Sequence, residues 1–82
     1  MLTLYYRPLC PYSNRVLDEA HRLGVELETK DAGDPVVASK LEELGGKLQT
    51  PYLVDDVRDA KMYESIDIMK YLAQIGGTMH VH

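Results

Sequence analysis

The chain has 82 residues, of which 45% are hydrophobic and 27% charged, and it carries a net charge of −4 at neutral pH. This length suits one small domain with a single core, and the acidic balance argues against a nucleic-acid partner. The N-terminus lacks a signal segment, no apolar run is long enough to cross a bilayer, and the one cysteine cannot form an internal disulfide, so the sequence predicts a cytoplasmic protein.

The first part of the chain has the pattern of a strand, a helix and a second strand. Residues 2–6 (LTLYY) are apolar and aromatic, which predicts a buried strand. After a turn, apolar residues recur at helical spacing from Val16 up to Gly24, a typical helix end. The alternating segment 25–29 (VELET) predicts a second strand, which must be parallel to the first because a helix connects the two.

The next part of the chain predicts a helix followed by a hairpin. Asp34 before Pro35 has the pattern of an N-cap and a first helical residue, and the double glycine at 45–46 is a typical helix end. Residues 51–54 (PYLV) and 60–63 (AKMY) predict two strands. The polar segment between these strands predicts a solvated turn, so the pair should form an antiparallel hairpin.

A last helix is predicted from Ser65, as its N-cap, to the glycine pair at 76–77. The whole order is β-α-β-α-β-β-α, an α/β architecture with a four-stranded mixed sheet and helices on both of its faces. Residues 1–77 are expected to form a single domain, and residues 78–82 a short C-terminal tail.

The cysteine, Cys10, lies between the first strand and the first helix, where open α/β sheets place their ligands. Because Pro11 suits the first turn of a helix, Cys10 is expected at or near the N-cap. Free backbone N–H groups and the helix dipole favour the thiolate there, and Arg7 adds positive charge nearby. The alternative interpretation is a small buried hydrophobic side chain, which the neighbouring proline and the strand-to-helix junction make the weaker one.

Three segments carry a further signal in combination. They are CPYS (residues 10–13), QTPYLVDD (residues 49–56) and YESIDIMKYL (residues 63–72). Together they resemble the thioredoxin-fold family, and within it the glutaredoxins and the N-terminal domain of glutathione transferases. The resemblance extends over essentially the whole chain. It implies a thioredoxin-like fold, a glutathione site, and a cis bond before Pro51; an ordinary trans bond is the alternative.

The resemblance, together with the chemistry of the side chains, assigns roles to individual residues. Cys10 is the implied nucleophile, and the Ser13 hydroxyl can donate to its thiolate but cannot form a disulfide. Glu64 would meet the ammonium of glutathione's γ-glutamyl end, and Ser65 its carboxylate, although Ser65 can also serve only as a helix cap. The implied glutathione contacts are Arg7, Tyr12, Thr50, Pro51, Glu64 and Ser65.

These features predict a monothiol glutaredoxin-like thiol-disulfide oxidoreductase. It would take glutathione from glutathionylated proteins or small mixed disulfides onto Cys10, with free glutathione as the co-substrate that releases it. For this oxidoreductase, the sequence predicts no metal site, no nucleic-acid partner and no membrane contact. The protein would be a monomer. Transferase activity stays open, because the helical second domain of transferases is not part of this sequence.

Two alternatives from other functional classes also fit the sequence. The first is an iron–sulfur cluster bridging a dimer, held by Cys10 of each chain and two glutathiones, because such clusters take four thiolates. The second is a stand-alone binding domain, similar to the N-terminal half of a transferase, that holds glutathione without turnover.

Overall fold

The computed structural model describes residues 1–80, with side chains up to residue 76. The elements follow the predicted order. They are β1 (Leu2–Tyr6), α1 (Pro11–Leu23), β2 (Glu28–Asp31), α2 (Pro35–Gly45), β3 (Tyr52–Asp55), β4 (Ala60–Met62) and α3 (Ser65–His80). None of the described helices combines the length and the apolar character that a bilayer crossing requires.

The strands form one sheet in the order β2-β1-β3-β4. β1 pairs with β2 in parallel, with Leu4 opposite Thr29, whereas β3 runs antiparallel to both β1 and β4. The sheet is therefore mixed and four-stranded, which confirms the predicted thioredoxin-like α/β fold.

Hydrophobic side chains cover both faces of the sheet, because successive residues of a strand point to opposite sides. Leu4 lies in one cluster, and Tyr5, the next residue, lies in the other. The first cluster joins the sheet to α1 and α3, and its buried members are Leu4, Val16, Ala20, Val25, Leu53, Ile68 and Leu72. The second joins the sheet to α2, and its buried members are Tyr5, Ala32, Leu41 and Tyr52.

The predicted position of β2 is wrong by three residues, since the strand begins at Glu28 and not at Val25. The backbone N–H of Val25 donates to the carbonyl of Ala20 at 2.9 Å and so completes the end of α1 at Gly24. Val25 is buried against α1 and α3, with Leu27 packed beside it. The alternation that predicted a strand therefore comes from a connecting segment whose apolar residues enter the helical side of the core.

Both predicted ends of α2 are confirmed. The Asp34 carboxylate accepts a hydrogen bond from the N–H of Val36 at 2.8 Å, which caps the first turn. The helix ends at Gly45, and Gly46 takes the left-handed conformation with φ of 82°.

The predicted end of α3 is wrong, because the helix continues through residues 76–77 to His80. A helical glycine costs about 1 kcal/mol relative to alanine, which a packed helix can absorb. Gly76 is buried, and a Cβ there would lie 3.3 Å from the Cβ of Leu23, so glycine allows α3 to approach α1 closely. Of the predicted tail, residues 78–80 are helical, and residues 81–82 lie outside the described residues.

Asp55 departs from the predicted solvated turn, since it ends β3 with 1% of its surface exposed. Its carboxylate accepts hydrogen bonds from the Tyr71 hydroxyl at 2.5 Å, from Arg58 Nη1 at 3.0 Å and from the N–H of Val57 at 3.1 Å. The residue thus links α3 to the β3–β4 turn at the end of β3 that is remote from Pro51.

Candidate active site

Cys10 occupies the N-cap of α1, as the sequence predicts. Its backbone is extended, with φ of −87° and ψ of 113°, and its carbonyl accepts the N–H of Asn14 at 3.1 Å. Pro11 is the first helical residue, so it withdraws no N–H that the helix would need. The Cys10 thiol is half-buried and makes no cap hydrogen bond of its own, which leaves the sulfur available for other contacts.

The surroundings of Cys10 favour its thiolate. Partial burial acts to raise the pKa of the thiol, but donors that the thiolate form would accept, namely the Ser13 hydroxyl and N–H, the Thr50 side chain and the Tyr12 N–H, together outweigh it and lower the pKa. The Sγ of Cys10 also lies 3.9 Å from the carbonyl oxygen of Thr50. The donors from Tyr12 and Ser13 belong to the first turn of α1, as expected for a thiol at a helix N-terminus.

Ser13 lies one helical turn after Cys10, on the buried side of the thiol. Its side chain is fully buried, and its Oγ accepts the backbone N–H of Arg7 at 3.4 Å. The hydroxyl proton is therefore free to point toward the sulfur of Cys10, which is the arrangement the CPYS segment predicts.

We expect Ser13→Ala to raise the pKa of the Cys10 thiol, because it removes a donor to the thiolate and leaves the Arg7 N–H without its acceptor. At neutral pH the rate of alkylation should fall severalfold, and the inflection of rate against pH should move upward. Ser39→Ala, at an exposed serine of α2, is the matched control. Identical profiles for the parent and Ser13→Ala would contradict a role of the hydroxyl at the thiol.

A cleft of about 270 Å³ opens beside Cys10, at the point where three separate segments meet. These segments are the start of α1, the loop before β3 and the start of α3. The lining residues are Tyr12, Gln49, Thr50, Pro51, Tyr63, Glu64, Ser65 and Ile66. The cleft therefore brings together every predicted glutathione contact except Arg7.

Three of the lining residues, Gln49, Tyr63 and Ile66, were not predicted as site residues. Each of them lies in, or adjoins, the motifs that pointed to the site, since Gln49 begins QTPYLVDD and Tyr63 begins YESIDIMKYL. Their positions next to predicted contacts in the sequence were the one feature that could have indicated a place in the site. Nothing in their residue types distinguishes them, because a tyrosine after a hairpin strand and an isoleucine in the first turn of a helix are common in any domain.

Arg7 faces a different cleft, of about 510 Å³, on the other side of the thiol. That cleft is formed by the turn after β1 and the turn after β2, and its lining residues are Arg7, Pro8, Leu9, Cys10, Asp31 and Gly33. Cys10 therefore lines the same opening as Arg7, and it meets the cleft of Glu64 and Ser65 through its contact with Thr50.

The Thr50–Pro51 peptide bond is cis, which confirms the expectation drawn from the resemblance. Pro51 is buried directly before β3, and the pairing of β3 with β1 begins at Tyr52 opposite Tyr5. The backbone of Thr50 therefore lies at the cleft, next to the sulfur of Cys10 and outside the sheet ladder.

The start of α3 corrects one prediction. Ser65 is the first helical residue, and the Glu64 carbonyl accepts the N–H of Ile68 at 2.9 Å, so Glu64 and not Ser65 is at the N-cap. Serine is a favoured N-cap residue, which pointed to Ser65. The first hydrogen bond of the helix, however, is accepted by the Glu64 carbonyl, so the helix begins one residue earlier than predicted. The Glu64 side chain is exposed and Ser65 is half-buried at the rim of the cleft, where helix N–H groups attract anions.

A family model for the N-terminal domain of glutathione S-transferases matches residues 4–78 of the chain. No curated protein sequence is similar enough to count as a match. The family match covers the thiol, the cis-proline and the start of α3 together.

Solved structures of the same fold agree with this match. Glutathione S-transferase 1-6 from Anopheles dirus species B is 27% identical, with a TM-score of 0.76, over 96% of this chain and 39% of its own. A delta-class glutathione transferase from Nilaparvata lugens is 28% identical, with a TM-score of 0.75, over 90% of this chain and 35% of its own. A glutathione transferase homologue from Sulfitobacter, solved with bound glutathione, is 22% identical, with a TM-score of 0.76, over 95% of this chain and 38% of its own.

Proposed function

The chain belongs to the family of glutathione S-transferase N-terminal domains, and from this premise we propose that it binds glutathione and exchanges thiols and disulfides at Cys10. It spans less than two-fifths of the length of the related structures, so the proposal concerns the chemistry of this domain. The observation that supports it most is the half-buried thiol of lowered pKa, which stands at a helix N-terminus directly beside the cleft.

The cleft has groups that suit the separate parts of glutathione. Ser65 and the free N–H groups of α3 suit the α-carboxylate of the γ-glutamyl end, and the Glu64 carboxylate suits its ammonium. The Thr50 backbone, outside the ladder, suits a peptide-like partner. Tyr12, which is 59% exposed and lies two residues after Cys10, lines the same cleft. A ligand so held would have its sulfur beside Cys10.

The proposed reaction has two exchange steps. The Cys10 thiolate attacks the glutathione sulfur of a mixed disulfide; a Cys10–glutathione bond forms as the old bond breaks, and the released thiolate takes a proton. The thiolate of a second, free glutathione then attacks the adduct, which gives glutathione disulfide and restores the Cys10 thiolate. Ser13 cannot resolve the adduct, so the cycle depends on glutathione and not on an internal dithiol.

The proposal is tested by measuring glutathione-dependent reduction of a mixed disulfide between glutathione and a small thiol. We expect turnover whose rate depends on both substrates. Glutathione binding without turnover would instead support the stand-alone binding domain, and absence of both would reject the proposal. A visible absorbance after anaerobic purification, lost with Cys10→Ser, would favour the cluster-bridged dimer.

We expect Glu64→Gln to weaken glutathione binding about tenfold, because a charge-assisted contact with the ligand ammonium becomes a neutral one, and exposure keeps the loss at the lower end of the range for such contacts. The melting temperature should barely change, since the exposed carboxylate adds little to the core. Calorimetric titration in the Cys10→Ser background measures the affinity. Glu26→Gln, at an exposed position beyond the far end of α1, is the matched control. Equal affinities for the parent and Glu64→Gln would rule out a ligand contact at Glu64.

A further inference from the structure

Tyr63 joins two walls of the cleft. It directly precedes Glu64, and its hydroxyl reaches across to the loop before β3. The hydroxyl donates a hydrogen bond to the Lys47 carbonyl at 2.8 Å and accepts one from the Lys47 N–H at 3.2 Å. The Tyr63 side chain thus binds both the N–H and the carbonyl of Lys47, in the loop before β3.

The ring of Tyr63 makes two further contacts. It packs on the buried Tyr52 with ring centroids 4.3 Å apart, and the Lys47 ammonium lies 5.1 Å from its centroid. The hydroxyl occupies the space above Gly45, where an added Cβ would overlap it. Because Gly45 has an ordinary helical backbone, this contact, and not the conformation, is what requires a glycine there.

The loop that Tyr63 contacts carries predicted ligand contacts but has few other supports. Within the part of the chain that the structure describes, the hydrogen bonds of residues 47–51 run from Lys47 to Tyr63 and from Thr50 to Cys10. Lys47, Leu48 and Gln49 are all exposed. The location of Thr50 relative to the start of α3 therefore depends on the Tyr63 hydroxyl on one side of the loop and on the pairing of β3, which begins at Tyr52, on the other.

We propose that Tyr63 is a positioning residue of this site, which holds the 47–50 loop at a set distance from Glu64 and Ser65 so that both walls contact one ligand. The identity of that ligand as glutathione rests on the proposed function. The placement of Thr50 beside the Cys10 sulfur is independent of the proposed function, because it is a contact within the chain itself.

Tyr63→Phe is the test, because it keeps the ring and removes both hydrogen bonds. We expect glutathione affinity, measured by calorimetry in the Cys10→Ser background, to fall about tenfold. In the Cys10-containing protein, alkylation of the thiol should shift to higher pH, since Thr50 would no longer be held beside the sulfur. Tyr71→Phe is the matched control: it removes a hydroxyl that contacts buried Asp55 at the other end of β3, so it should lower the melting temperature without changing either site measurement.

A second variant works through the other partner of the hydroxyl. Gly45→Ala should stabilise α2 on helix propensity alone, but its Cβ would displace the Tyr63 hydroxyl, so we expect the same loss of affinity and the same alkylation shift. An unchanged alkylation profile in both variants would overturn the inference, whether or not glutathione binds. A parent that binds no glutathione, with variants that still shift the profile, would reject the proposed function and keep the positioning role.

Discussion

Replacement of Cys10 by serine is expected to lower glutathione-dependent reduction roughly a thousandfold or more while leaving glutathione binding intact. A serine hydroxyl keeps the shape of the thiol but is not ionised near neutral pH, and it cannot form the disulfide of the first exchange step. The chain has only one cysteine, so no second thiol can replace it.

Although Cys10→Ser should lose activity, its stability should be equal to or higher than that of the parent. The Cys10 side chain makes no cap hydrogen bond, whereas serine at an N-cap accepts one from the first turn of its helix. We therefore expect Cys10→Ser to melt at an equal or higher temperature, with a gain of up to about 1 kcal/mol.

Three measurements on one preparation check this prediction: initial rates of mixed-disulfide reduction, calorimetric titration of glutathione, and thermal unfolding. Ser13→Ala is the comparison variant, because it changes the setting of the thiol without removing it and should lose activity only in part. Turnover that persists in Cys10→Ser would assign the reaction to another group and end the monothiol proposal.

Asp55→Ala should be the most destabilising of these substitutions, by roughly 3 kcal/mol. The variant leaves the Tyr71 hydroxyl and the N–H of Val57 without their acceptor, and it frees Arg58 from its partner. In a domain of this size that loss lowers the melting temperature by roughly 15 °C. Asp56→Ala is the matched control, since the neighbouring carboxylate is exposed and pairs with the N-terminal ammonium at the surface.

The same carboxylate predicts how stability depends on pH. Burial alone would raise the pKa of Asp55, but the hydrogen bonds from Tyr71, Arg58 and Val57 outweigh it and lower the pKa. The stabilisation is therefore fully present above the ordinary value of about 3.9 for an unfolded aspartate, and it is lost as the pH falls through the lower folded value. The melting temperatures of the parent and Asp55→Ala should approach each other as the pH falls below about 4, and a constant difference would contradict the lowered pKa.

The elements near the thiol were predictable because their signals are local. Pro11 after Cys10 and Asp34 before Pro35 each act within one helical turn, and both helix starts are confirmed. The Ser65 cap was misplaced by one residue within a local signal, whereas two larger errors lie where a distant contact decided the outcome. Gly76 stays helical because α1 packs against it, and Val25 leaves the strand because it enters the core between α1 and α3.

The amino-acid pattern was sufficient for the order of the elements, the mixed sheet and the place of Cys10 at a helix N-terminus, because periodicity and capping act between residues close in the chain. Only the tertiary structure decided that Gln49, Tyr63 and Ile66 share one cleft with the predicted contacts, since strand pairing brings together segments that are remote in sequence. It also decided that Arg7 faces a separate opening and that Asp55 is buried. Burial and contact across the sheet depend on what the rest of the chain places there, and no local pattern carries that information.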